Sequence, residues 1–273
     1  VELNEQVDKL AQEGIRVAAI TYDQPEALAH FAKRRGIRYP LLADPASEVI
    51  RAFGILNTSV PRDSFAYGVP HPGTYLLDAN GVVKAKYFEE DYRERTTAAS
   101  ILVRNIRNEA GIPVRETETR HLTLRASAAN GSVFTGSRIT LILDIDLKPK
   151  MHVYAPPVEG YIPIRWDIKQ TEAYRALEVE FPEWKILHLP AIDERVPVYE
   201  GRFRLVRDIV IGQQKALEAA GCKDQVTVEG TFRYQACDDK MCYRPETVLL
   251  QWTFRLKPPD RERVPDALRR SDN

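Results

Sequence analysis

The sequence predicts two domains of different architecture, an α/β layer followed by an antiparallel β-sandwich. Three observations predict them. A chain of 273 residues and 31.1 kDa is longer than one average domain and can bury two cores. Residues 1–111 alternate helical and strand patterns. From Ile112 onward the helical period fades, and seven β-rich runs follow one another with turn residues between them.

In the first half, Leu3, Val7 and Leu10 fall at helical spacing before Gly14, which predicts an amphipathic helix over 1–13. The apolar run "IRVAAITY" at 15–22 predicts a strand covered on both faces. Behind it, "PEALAHFAKRRG" places Pro25 at a helix start and Leu28, Phe31 and Ala32 on one face; its cationic "AKRRG" end suits the negative pole of the helix dipole. "YPLLAD" reads as a short strand, "ASEVIRAFG" as a helix, and residues 55–73 as a loop rich in Pro and Gly. "TYLLD" and "VVKAKYF" flank the turn "ANG" and predict a hairpin. A last helix, "RTTAASILVRNIRNEAG", ends at Gly111. Together these elements make an α/β layer with part of its sheet missing at the front.

Residues 112–120 begin "IPVRETETR", a polar stretch with Pro113, and read as a linker. The runs "RHLTLRAS", "SRITLILDIDL", "IPIRWDI", "LEVEF", "RFRLVRDIVI", "QVTVEGTFRYQ" and "TVLLQWTFRL" predict a sandwich over 121–258. Trp166, Trp184 and Trp252 are expected in its core or rim. The charged residues 259–273 carry no core pattern and read as a mobile tail.

Charge narrows the functional classes. Lys plus Arg and Asp plus Glu both number 39, so no net field favours nucleic acid or an anionic membrane. No apolar run reaches the roughly 18–20 residues that span a bilayer, so no membrane insertion of this chain is expected. The sequence opens without Met or a signal peptide, in what reads as the middle of a helix; Val1 is not expected to be the natural start.

Chemistry in the second half centres on "YQACDDKMCYRP", with Cys237 and Cys242 between two strand-like runs. Three readings compete: a structural staple, part of a metal site and a redox centre. A tight loop brings strand ends within the Cα separation that a disulfide needs, about 4.4–6.8 Å. Closing so short a loop removes little unfolded-chain entropy, which weakens the staple. Zinc takes about four ligands, and only Cys222 with the scattered His121, His152 and His188 could complete a set. Lys240 and Arg244 favour thiolate while Asp238 and Asp239 oppose it, so local charge leaves the question open.

Two resemblances add to this reading. "RVAAITYDQPEALAHFAKRRGIRYPLLADPASEVIRAFGI" with "YGVPHPGTYLLDANGVV" resembles the thioredoxin-like redoxins of the AhpC/TSA, peroxiredoxin-like class. The resemblance implies a thioredoxin-like domain over 1–111 that lacks its first strand and active-site cysteine, with a cis proline at Pro72 and a pocket lined by His71, Pro72 and Thr74. Residues 1–221 contain no cysteine, so no peroxidase activity is expected of this chain by itself; a peroxidatic cysteine is expected upstream of Val1, unless the domain is a thiol-less scaffold.

The motif "YQACDDKMCYRPET", together with "MHVYAPP" and "VPVYEGRFRLVRDIVI", resembles the amino-terminal domain of the thiol:disulfide interchange protein DsbD. That resemblance implies an immunoglobulin-like sandwich with Cys237 and Cys242 as a redox pair, Cys242 being the partner in mixed disulfides. Tyr234 and Gln235 lead into the pair, Val198 and Tyr199 fall where a shielding cap loop should be, and Pro245 stands alone where the family has two prolines. Cys222 has no role that the resemblance assigns.

The expected function is thiol-disulfide exchange as an electron relay through Cys237 and Cys242, with no cofactor or metal beyond the redox-active disulfide. The expected partners are a thioredoxin-like electron donor or acceptor and client disulfide proteins, in the periplasm or another extracytoplasmic space. A peroxiredoxin-type antioxidant enzyme and a non-enzymatic module that binds a redox partner are the alternatives.

Overall fold

The computed structural model describes residues 2–64, 66–89, 91, 93–105, 111–189, 193–258, 262 and 265–268. It divides into two compact units, Val1–Leu102 with Pro259–Asn273, and Val103–Pro258.

In the first unit the expected helix over 1–13 is two helices, α1 (Glu2–Glu5) and α2 (Val7–Gln12). The Gln6 N–H bonds to the Leu3 carbonyl three residues back, a tighter turn that interrupts the α-helical ladder. Of the strand expected over 15–22, only β1 (Ala19–Thr21) forms, in parallel with β2 (Leu41–Ala43). A ladder extends no further than its partner, and β1 is half-buried rather than covered on both faces. Between them, α3 (Pro25–Arg35) closes at Gly36, whose φ of 57° is the left-handed geometry that favours glycine. Asp44 starts α4 (Glu48–Ala52) by accepting the Glu48 and Ile50 N–H groups at 2.8 and 2.9 Å.

The predicted hairpin is present as β3 (Gly73–Leu77) and β4 (Val83–Phe88). Asp78 Oδ1 organises its turn, accepting the Asn80 and Val82 N–H groups. Position 73 must lack a side chain, because a Cβ there would stand 2.2 Å from the Phe88 ring. The short β5 (Arg95–Thr96) and α5 (Ala98–Asn105) follow; the rest of the predicted last helix, residues 106–110, lies outside the described residues.

The second unit is almost wholly β. The segment read as a linker over 112–120 instead forms β6 (Ile112–Glu118), antiparallel to β7 (Leu122–Ala128). β6 ends its sheet, and an edge strand tolerates Pro113 because one row of its N–H groups needs no partner. After β8 (Ser132–Val133) come β9 (Ser137–Leu147), β10 (His152–Tyr154), β11 (Arg165–Ile168), β12 (Tyr174–Glu180), β13 (Lys185–Leu189) and β14 (Glu194–Glu200). The chain then forms β15 (Arg202–Ile211), α6 (Gln214–Ala219), β16 (Gln225–Tyr234), β17 (Ala236–Cys237) and β18 (Glu246–Leu256). All seven predicted runs are strands.

One sheet runs β12-β15-β9-β7-β6 and a second β11-β16-β18-β8. Their inner faces share one core, with Leu141, Leu143 and Leu205 from the first and Val228, Phe232 and Trp252 from the second. β18 alternates strictly between core and solvent, as a sheet covered on one face requires. Trp166 and Trp252 are core residues as predicted, and the Trp252 indole N–H donates to the Ser127 carbonyl at 3.0 Å. Trp184 is exposed.

A third sheet, β13-β14-β10-β17, was not foreseen. Val153, Tyr199 and Ala236 turn its inner face into the main core, while Tyr154, Val196, Val198 and Cys237 form a separate small cluster. Of the predicted tail, the described residues are not loose: Glu262 pairs with Arg34 at 2.6 Å, and Asp266–Leu268 make a 3-10 turn. Residues 259–261, 263–264 and 269–273 lie outside the described residues.

Candidate functional site

Cys237 and Cys242 are joined by a disulfide, and they close the mouth of the hairpin whose tip is residues 238–241. The Tyr243 N–H donates to the Ala236 carbonyl and the Asp238 N–H to the Met241 carbonyl, at 2.9 and 3.0 Å. Ladder bonds therefore flank the cysteines on both sides and leave them a directly opposed pair without hydrogen bonds of their own. Such pairs are the closest in an antiparallel ladder, with Cα atoms about 4.5 Å apart. This accounts for a Cα separation of 4.0 Å, shorter than expected of two strand ends joined by a loop.

Asp238 builds the tip. Its Oδ1 accepts the Lys240 and Met241 N–H groups, and its Oδ2 accepts the Tyr243 hydroxyl at 2.7 Å. These bonds, the Tyr243 hydroxyl first among them, hold the carboxyl down at about 2. Asp238 thus spends its charge inside the turn. Gln235 secures the other end, donating from Nε2 to the Tyr243 carbonyl at 2.9 Å.

The two sulfur-bearing residues are not equivalent. Cys237 is 1% exposed, whereas Cys242 is solvent-exposed. Of the two, Cys242 is the residue that presents surface to solvent. The Tyr154 hydroxyl lies 3.7 Å from Cys242 Sγ, and because a disulfide sulfur has no hydrogen, Tyr154 is the donor. Its ring stacks on Tyr161 at 4.4 Å, and the Tyr161 hydroxyl donates to Glu194. Burial raises the Tyr154 hydroxyl above its usual range, which keeps its proton in place.

Cys237 belongs to a small buried cluster with Tyr154, Val196 and Val198, and sits directly across the ladder from His152. His152 is itself 4% exposed, opposes Glu200 on its other side, and has an Nε2 with no hydrogen-bond partner. Burial pushes its pKa below the ordinary value in spite of Glu200, Asp239 and Asp238 nearby.

The remaining expectations divide. Val198 belongs to the same small buried cluster as Cys237, but on strand β14 rather than in a cap loop. Tyr199 does not shield the pair: strand alternation turns it to the main core, where it stacks on Phe203 at 4.6 Å and donates to the Pro182 carbonyl. The aromatics beside the disulfide are Tyr154 and Tyr161. "MHVYAPP" carried the first of them, yet nothing in three consecutive buried residues, His152–Tyr154, marks which one faces the thiols. Tyr234 is fully buried in the main core, with its hydroxyl bonded to Thr119 and Glu246, and Pro245 is exposed. Cys222, half-buried, is a free thiol at the edge of the main core.

In the first unit His71 and Thr74 are exposed and Pro72 is half-buried, just before and on β3. The bond before Pro72, expected cis, is trans, as are all described peptide bonds. The trans form is favoured by about 0.5–1 kcal/mol, and no cysteine precedes Cys222 for a cis proline to face.

Comparison with known proteins follows the same division. Residues 1–86 match the AhpC/TSA family model, and residues 120–253 match that of "Thiol:disulfide interchange protein DsbD, N-terminal". Peroxiredoxin Bcp of Escherichia coli is 29% identical over 91 residues, 33% of this chain and 56% of its own length. The chloroplastic peroxiredoxin Q of Gentiana triflora is 35% identical over 80 residues, 29% of this chain and 34% of its own. The chain thus spans at most about half the length of the curated relatives it matches. Among solved structures, the N-terminal periplasmic domain of ScsB from Proteus mirabilis overlays with a TM-score of 0.39 at 14% identity, covering 52% of this chain and 51% of that one. No described helix is long and apolar enough to cross a membrane. The chain thus carries a segment that matches the AhpC/TSA family model, followed by a region that matches the DsbD amino-terminal family model.

Proposed function

We propose that this chain is a thiol-disulfide oxidoreductase that relays electrons through Cys237 and Cys242. The observation that carries the reading is the asymmetry of the pair, one cysteine exposed and the other sealed behind it. A staple has no use for an open sulfur, whereas exchange needs one sulfur to meet the partner and one to resolve the adduct.

In the reducing direction an incoming thiolate attacks Cys242 Sγ. The Cys237–Cys242 bond breaks, and its electron pair leaves on Cys237. A second thiol of the donor then attacks the donor sulfur held on Cys242, and the pair is left reduced. Passing those electrons to a client disulfide runs the same steps in reverse. Tyr154 supplies a hydroxyl to whichever charge develops on Cys242, while Cys237 stays buried from solvent. The reading needs no metal or organic cofactor. A donor or acceptor of the thioredoxin type and disulfide-bearing clients fit the exposed Cys242, and an extracytoplasmic compartment fits chemistry that depends on disulfides persisting.

Mixed-disulfide trapping tests this. Cys237→Ser, with Cys242 activated as a mixed disulfide, should hold a thioredoxin-like donor whose second active-site cysteine is replaced by serine in a covalent adduct through Cys242. Cys242→Ser should give no adduct, and equal trapping by both variants would contradict the asymmetry. A second reading, a peroxiredoxin-type enzyme, is favoured by the relatives matched over the redoxin segment. Residues 1–221 lack a thiol for it, so peroxide consumption by an upstream-extended chain, but not by this one, is the result that would favour it.

A further inference from the structure

We infer that His152 is the general base for Cys237, taking the proton from its thiol when Cys237 resolves a mixed disulfide formed on Cys242. The inference rests on the exchange reading above and assigns a residue to its resolving step.

The need for a base follows from the site. With a partner sulfur bonded to Cys242, Cys237 is a buried thiol in the apolar cluster that includes Tyr154. A thiol in apolar surroundings resists ionisation, yet only the thiolate attacks a disulfide. Tyr154 cannot take the proton, because burial holds its own in place and its hydroxyl addresses Cys242.

The group suited to the task lies across the ladder. His152 and Cys237 are directly opposed on β10 and β17, so their side chains leave the sheet on one face with Cβ atoms about 4.5–5.5 Å apart. His152 is 4% exposed, and its Nε2 is buried without a hydrogen-bond partner. Such an atom has given up the hydrogen bond that water would supply, and it is open to a proton from a neighbouring group. The ring meets Tyr154 edge-on at 5.6 Å, which keeps it beside the pair. The groups around it are Glu200 opposite on β14, Asp238 and Asp239 in the hairpin tip, and Tyr154 on its own strand. Burial outweighs the three carboxylates and leaves the imidazole neutral near neutral pH, ready to accept a proton, while the carboxylates stabilise the imidazolium once it forms.

The step balances. His152 removes the Cys237 proton, and the thiolate attacks Cys242 Sγ. The new Cys237–Cys242 bond forms as the bond from Cys242 to the partner sulfur breaks, and the partner leaves as a thiolate with the electron pair. The two cysteines are oxidised, the partner disulfide is reduced, and the imidazolium returns its proton to the departing thiolate or to water.

The reduced chain carrying Cys222→Ser, treated with 5,5′-dithiobis(2-nitrobenzoate), tests this in two absorbance phases. The first places the aromatic thiol on Cys242; the second releases it by attack of Cys237. In the native chain the second phase should be nearly independent of pH above the His152 titration. In His152→Gln it should slow at least about tenfold at pH 7 and rise roughly tenfold per pH unit, the first phase staying within about twofold. His152→Asn, smaller at the same position, gives the same comparison if Gln disturbs the sheet. A variant whose second phase keeps the native rate and profile, or whose two phases slow together with the native profile, would overturn the assignment. If the native chain itself shows no second phase, the exchange reading fails and takes this assignment with it; that result is distinct from a native second phase that ignores His152.

Discussion

Removing one oxygen, in Tyr154→Phe, should raise the pKa of Cys242 in the reduced chain by about one unit. The ring is 1% exposed and stacks on Tyr161, so Phe fills the same space and keeps the same contacts. β10 is bonded between β14 and β17, which positions Tyr154 beside Cys242. What is lost is one O–H donor, 3.7 Å from Cys242 Sγ. A hydrogen bond to a charged group contributes about 1.5–3 kcal/mol, and a long bond to sulfur belongs at or just below the bottom of that range. About 1.4 kcal/mol corresponds to one pKa unit. The assay is the pH dependence of iodoacetamide alkylation at Cys242 in a Cys237→Ser background, with and without the Tyr154 hydroxyl. An unchanged midpoint would refute the claim that Tyr154 stabilises the Cys242 thiolate, and a lowered one would reverse it.

Two further outcomes follow from the same geometry. Val198→Ala removes two methyl groups from the buried cluster that includes Cys237, costing about 1.6 kcal/mol in transfer energy before any cavity term, and should hasten reduction of the disulfide by small thiols. Tyr199→Phe loses only the bond to the Pro182 carbonyl, about 0.5–1.5 kcal/mol of stability, and should leave the reduction rate unchanged; chemical denaturation and a thiol-quench time course check both variants. Because the folded Asp238 carboxyl titrates at about 2, below its ordinary 3.8, its contribution is complete above about pH 4 and is lost as pH falls through about 2. Amide exchange in the hairpin should therefore be faster in Asp238→Ala than in the native chain at pH 6, and the two should converge toward pH 2.

Legibility in the sequence tracked how far the side-chain pattern is set by one buried face. Glu246–Leu256 alternates between core and solvent over its whole length, and it was readable as a strand for that reason. The sheet that carries the disulfide gave no such signal. Glu194–Glu200 has Pro197 in its middle, which argues against a strand, and His152–Tyr154 is buried throughout with no alternation to show a face. Tyr199 was thus misplaced as a shield by its nearness in sequence to Val198, although neighbours on a strand point to opposite faces. Cys237 and Cys242 were legible from spacing and family resemblance, but their unequal exposure depends on tertiary packing. The roles of Tyr154 and His152 depend on register across β10 and β17, which a two-residue strand does not announce.

Equilibrium titration of the Cys237–Cys242 pair against a dithiol/disulfide redox buffer, read by mass after alkylation, tests the central claim most directly. The account predicts a reversible two-electron transition within the range spanned by thioredoxin-like proteins, about −270 to −120 mV, reached from both the oxidised and the reduced side. A pair that stays oxidised below about −300 mV, as structural disulfides do, or that never equilibrates from either side, would contradict it.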